Sequence, residues 1–134
     1  MLTLRLSGLK PHKMTSSRIK SFRDAFSGLG TMFRHEPNAR IHLAITLCVI
    51  IAGICFRLAA VEWIAITFAI GFVFTAELLN TSIEKLADFV SPEKHENIRK
   101  VKDLAAAGVL ISAIASAVIG LIIFIPKIAG WAVR

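Results

Sequence analysis

The stretch WIAITFAIGFVFTAELLNTSIEKLAD (residues 63–88) decides how this chain folds. Residues 63–76 carry no charge and no proline, as a membrane-spanning helix requires. Residues 77–88 then bring in Glu77, Asn80, Glu84 and Asp88. Their spacing is i, i+3, i+7 and i+11, which at about 100° per residue places all four within about 80° of one another on one helical face. Carboxylates this close to a membrane core are costly and mark a functional site by default. Three acids and an amide along one stripe predict a hydrated cation or proton site rather than a lipid contact.

The rest of the composition agrees with a membrane setting. Hydrophobic residues make up 55% of the 134 residues, enough for one domain. They gather in three blocks, roughly 41–60, 61–81 and 104–126. The first 40 residues hold eight Lys/Arg and two acids, and the net charge is +7. That charge suits nucleic acid or an anionic membrane surface. With three apolar blocks the membrane is the better partner, and no nucleic acid is expected. Cys48 and Cys55 are seven apart on one helix, about 10 Å along its axis, which excludes a disulfide between them. No His or acid stands in ligand spacing with them, so they read as inert packing residues. The basic start lacks the apolar core of a signal peptide, and the first spanning helix is expected to drive insertion.

Outward from the acid stripe, four helices are expected. Residues 1–17 read as a disordered basic tail. Ile19, Phe22, Phe26, Leu29 and Phe33 then recur at helical spacing, with Arg18, Lys20, Arg23 and Arg34 mostly elsewhere. This pattern predicts an amphipathic surface helix over 18–36. Pro37 turns the chain into a first spanning helix over about 40–60, with Arg40, His42 and Arg57 snorkelling near its ends. The second runs over about 61–90, opened by Trp63 as an interfacial anchor and ended by Ser91-Pro92. A charged linker follows, and residues 103–126 form the third, closed by Pro126 and Lys127. Residues 128–134 read as a short tail. The fold class is all-α and integral to the membrane. The N-terminal arm has eight Lys/Arg, the first connection one, the second with its flanks five, and the C-terminus two. The arm and the second connection are therefore expected on the cytoplasmic side.

All the polar clusters fall on that side. Glu36, Glu77, Asn80, Glu84, Asp88, Lys102 and Asp103 are expected at similar membrane depth. Carboxylates from different helices suit Mg²⁺, which takes one or two carboxylates together with phosphate oxygens. Lys94, Arg99, Lys100 and Lys102 are placed to neutralise phosphate charge. Glu77, the deepest acid, sits where a general base would be held. His42 and His95 read more simply as locally bonded interfacial histidines. Neither a P-loop nor the protein-kinase motifs occur.

Residues 77–88, ELLNTSIEKLAD, resemble the signature of the bacterial integral-membrane diacylglycerol kinase family: Glu-x-aliphatic-Asn-Ser/Thr-small-aliphatic-Glu-x-x-aliphatic-Asp. Ala87 departs mildly from the pattern. Glu36, Glu93-Lys94-His95 and Lys102-Asp103 stand at matching separations, and the resemblance covers about residues 18–127. It implies a homotrimeric bundle with three transmembrane helices and a surface helix per subunit, in the bacterial inner (cytoplasmic) membrane. The implied activity is transfer of the γ-phosphate of ATP to a membrane lipid alcohol. By matching position Glu77 is the catalytic base, supported by Asn80 and Asp88. Glu36 and Glu84 hold Mg²⁺ and contact ATP, while Glu93, Lys94, His95, Lys102 and Asp103 contact the nucleotide. Residues 34–42, RHEPNARIH, are similar to the branch of the family that phosphorylates undecaprenol. Asp24 replaces the aromatic nucleotide contact of the diacylglycerol branch. Undecaprenol is thus the expected acceptor, with diacylglycerol the alternative. From the residues alone, a small cation- or proton-coupled transporter using Glu77 and Glu84 and a lipid-binding adaptor stay open. A transporter is expected to place its acid near the midplane, whereas this stripe runs out to one end. An adaptor gives no reason for three acids on one face.

Overall fold

A computed structural model describes residues 14–93 and 95–132. The described residues form four helices and no strand: α1 (Met14–His35), α2 (Pro37–Cys55), α3 (Ala60–Val90) and α4 (Glu96–Ala132). The last three are long and apolar enough to cross a membrane. Most of the expected basic tail lies outside the described residues, although α1 already begins at Met14.

The α1–α2 corner is one residue long. Pro37 takes the first position of α2, where its missing N–H costs nothing. Glu36 before it is extended (φ −104°, ψ 111°). Arg40, exposed near the start of α2, has defined partners. Its Nε and Nη2 donate to the carbonyls of Phe33 (3.0 Å) and Arg34 (2.5 Å), capping the end of α1. Met32 is buried at this corner, and Phe33 meets Phe74 of α3 edge-on with ring centroids 5.6 Å apart. Ile19, Phe22 and Phe26 stay exposed along α1, the face an interfacial helix offers to lipid.

α2 leans on α3 through Ala39, His42, Thr46, Val49 and Gly53, a 3-4-3-4 spacing of small and polar residues. At Gly53 a Cβ would lie 2.7 Å from the Trp63 ring, so only glycine lets the indole close against α2. Trp63 is therefore a packing residue as well as a terminal one. Arg57, in the left-handed region at φ 51°, reverses the chain towards α3.

α4 runs back along α3. Ser116 Oγ donates to the Ala69 carbonyl across the pair at 3.0 Å, and Lys127 Nζ reaches Glu62 Oε2 at 2.9 Å. α4 is longer than expected at both ends. His95 Nδ1 accepts the Asn97 N–H at 3.2 Å, a cap that starts the helix at Glu96. Glu96–Lys100 (2.8 Å) and Arg99–Asp103 (3.7 Å) then support its first turns at i, i+4 spacing. At the other end the helix passes through Pro126 to Ala132, over residues expected as a tail. A proline here removes one backbone bond near a helix end, which spanning helices tolerate. Lys127 pairs with Glu62 instead of closing the helix. Cys48 and Cys55 are exposed on the outer surface, not packed.

Candidate active site

The buried face of α3 is continuous from core to site. Ile66, Ala69 and Val73 lead directly into Glu77, Asn80, Thr81 and Ala87 on the same face. A helix whose inward face turns from apolar to polar in this way encloses polar groups.

Glu77 is 2% exposed. Its Oε1 lies 3.2 Å from Nε2 of His42, on α2. The contact is an ion-pair approach, and Oε1 is left without a hydrogen bond. One turn on, Asn80 Nδ2 donates to Glu84 Oε1 at 3.1 Å. Asn80 Oδ1 and Thr81 Oγ1 are likewise enclosed without a partner. Three such atoms within five residues are an unusual concentration, since a buried polar atom without a partner costs about 1–3 kcal/mol. A substrate or water placed among them would relieve that cost. Glu36 and Glu84 both lie within electrostatic reach of Glu77. Glu36, half-buried, has Lys85 Nζ at 4.0 Å.

The other expected residues assemble further out. Asp88, Glu93, His95, Lys102 and Asp103 line one pocket of about 540 Å³ between the end of α3 and the start of α4, with Arg99 and Glu96. Lys102 Nζ bonds Asp88 Oδ1 at 2.9 Å and also lies within electrostatic reach of Glu84. The N-terminus of α4 lies beside this pocket, and the positive end of its helix dipole favours phosphate. Lys94 lies outside the described residues. The polar set does not share one depth. Glu77 and Asp88 are eleven residues apart on one helix, about 16 Å along its axis. The site has a sealed floor at Glu77 and an open pocket above it.

Below Glu77 the surroundings turn apolar. α2 and α4 both lean on α3 without packing on each other, which leaves a groove of about 570 Å³ between them. His42 stands at the Glu77 end of this groove. Ile45, Val49, Val73, Ala117 and Leu121 line its length. Phe124, at the far end, meets Phe56 edge-on at 6.2 Å.

A model of the prokaryotic diacylglycerol kinase family matches residues 23–124, well over half of the chain. The chain belongs to the prokaryotic diacylglycerol kinase family. The kinase is 38% identical over 120 residues to a Bacillus subtilis protein named undecaprenol kinase, a match that covers 89% of this chain and 98% of that one. It is 32% identical over 109 residues to a Synechocystis diacylglycerol kinase (81% and 62% covered). It is 31% identical over 96 residues to one from Haemophilus influenzae (70% and 80% covered). Membership makes it a membrane lipid kinase with ATP as co-substrate.

Among the described residues no three His, Cys, Asp or Glu side chains converge as a ready-made metal cage. The kinase instead offers two carboxylates, Glu36 and Glu84, on different elements near Glu77. That donor set fits Mg²⁺, an ion bound mainly through nucleotide phosphates with one or two carboxylates added. His42, expected from the sequence only as a locally bonded interfacial histidine, and Thr81, expected only as part of the signature, both stand in the enclosed site. A polar position in the 3-4-3-4 stripe of α2 was the available signal for His42.

Proposed function

We propose that this kinase transfers the γ-phosphate of ATP to the hydroxyl of undecaprenol at the cytoplasmic face of the bacterial inner membrane. One observation carries the reading: Glu77 is buried beside His42 at one end of an apolar groove, and a polar pocket opens further out on the same helix, from Asp88 onward. A lipid alcohol with its chain in the groove would bring its hydroxyl to Glu77. A nucleotide in the outer pocket would bring its terminal phosphate from the other side. Glu77 accepts the hydroxyl proton as the oxygen attacks Pγ. The bond from Pγ to the β–γ bridging oxygen breaks, and ADP leaves with that oxygen. Glu36 and Glu84 would hold Mg²⁺, which offsets charge on the β- and γ-phosphates. Glu93, His95, Lys102 and Asp103 would bind the nucleotide. Asn80 supports the base by holding Glu84, and Asp88 by orienting Lys102.

The acceptor is proposed from the run at residues 34–42 and from the Bacillus relative, which is named for undecaprenol. Discarding the acyl reading needs a direct comparison, because the two other relatives are named for diacylglycerol. Purified protein with Mg-ATP in mixed micelles should show a higher kcat/KM for undecaprenol than for dioleoylglycerol. A clear preference for dioleoylglycerol would refute the acceptor while leaving the kinase chemistry in place.

Assembly as a homotrimer is part of the proposal. α3 carries a shallow outer cleft along Thr67, Gly71 and Thr75, small exposed residues four apart. Such spacing lets helices approach closely in lipid. The excess of Lys/Arg in the arm and around the second connection supports the cytoplasmic orientation.

A further inference from the structure

We infer that His42 is the positioning residue for the catalytic carboxylate, and this rests on the reading of Glu77 as the base. Glu77 is almost wholly enclosed, and His42 is the side chain brought to its Oε1, at 3.2 Å. A buried carboxylate with free rotation could present either oxygen in any of several directions. A base must present one lone pair to one hydroxyl, within hydrogen-bond reach. Donation from Nε2–H of His42 to Oε1 fixes the carboxylate plane and leaves Oε2 for the substrate. Nε2 already stands within hydrogen-bond distance of Oε1, and a bond not yet formed is common before substrate is bound.

The scaffold holds His42 there for a reason. Ala39, one turn earlier on the same face of α2, is completely buried, and its single methyl lets α2 approach α3 closely. On the other side, Arg40 ties the start of α2 to the carbonyls of Phe33 and Arg34, which limits rotation of the helix about its axis. His42 also lines the apolar groove, so the same ring touches the space proposed for the lipid chain and the carboxylate that deprotonates its head. One residue thereby links where the chain lies to where the base points.

The test compares His42→Ala, His42→Gln and Glu77→Gln with the wild type in mixed micelles of undecaprenol and Mg-ATP. Glutamine carries an amide N–H at the reach of Nε2 and restores the donor without the ring. His42→Ala should lower kcat about 10- to 100-fold, the scale of a misplaced reacting group. KM for ATP should stay within about twofold, since the nucleotide pocket is untouched. His42→Gln should recover most of the lost kcat. An His42→Ala protein with wild-type kcat beside an inactive Glu77→Gln protein overturns the positioning role and leaves the base in place. Equal loss in both His42 variants, with a matching fall in melting temperature, makes the residue structural and also overturns it. An active Glu77→Gln protein removes the base, and the proposal falls with it.

Discussion

Lys102 Nζ sits 2.9 Å from Asp88 Oδ1, joining the last turn of α3 to the second turn of α4 across the mouth of the outer pocket. The pair is well exposed on the Asp88 side, so it contributes little to stability. In the proposed mechanism it holds an ammonium where phosphate would arrive. Lys102→Met should raise KM for ATP about tenfold or more, the loss of one charge-assisted bond. Its melting temperature should stay close to the wild type. Steady-state kinetics over ATP concentration, together with thermal unfolding in detergent, checks both halves.

Glu36 and Glu84 come within electrostatic reach of Glu77 from the α1–α2 corner and from the C-terminal part of α3. If they share one Mg²⁺, Glu36→Gln and Glu84→Gln should each raise the Mg²⁺ concentration needed for half-maximal rate. Excess Mg²⁺ should recover part of the activity. An unchanged Mg²⁺ dependence in both variants would make the two carboxylates structural.

Gly120 borders the apolar groove and has open space where a Cβ would go. Gly120→Phe therefore fills the groove without forcing the helices apart. It should raise KM for the lipid and leave KM for ATP unchanged. Equal effects on both substrates would place the lipid chain elsewhere.

Gly53 is the opposite case, because its Cβ position is already taken by the Trp63 ring. Gly53→Leu should cost about 1–3 kcal/mol of stability as overpacking. It lies near the far end of α2 from His42, eleven residues or about 16 Å away. The folded fraction should keep its kcat, which a melting curve and an assay at low temperature separate.

The helices and the acid stripe were legible because each is written in one segment. An uncharged run and a stripe at i, i+3, i+7 need no partner to be recognised. The amphipathic pattern of Ile19, Phe22 and Phe26 likewise identified the surface helix, and the structure leaves that face exposed. What sequence could not supply was the facing of helices. His42 joins Glu77 only because α2 turns its small and polar stripe, not an apolar one, towards α3. In lipid the apolar side of a helix is as well solvated outside as inside, so hydrophobicity does not say which way it points. The same reasoning explains Cys48 and Cys55, apolar enough for a core yet set on the outside. The early start of α4 was hidden by its charges, which read as a linker until the His95 cap was visible.

Replacement of Glu77 by Gln tests the central claim most directly, since it keeps the shape of the side chain and removes its basicity. Single-turnover transfer of labelled γ-phosphate from Mg-ATP to undecaprenol should slow by about 10²- to 10⁴-fold, the usual loss on removing a general base. ATP binding by the same folded protein should be retained. Phosphate transfer at close to the wild-type rate in Glu77→Gln would contradict the account.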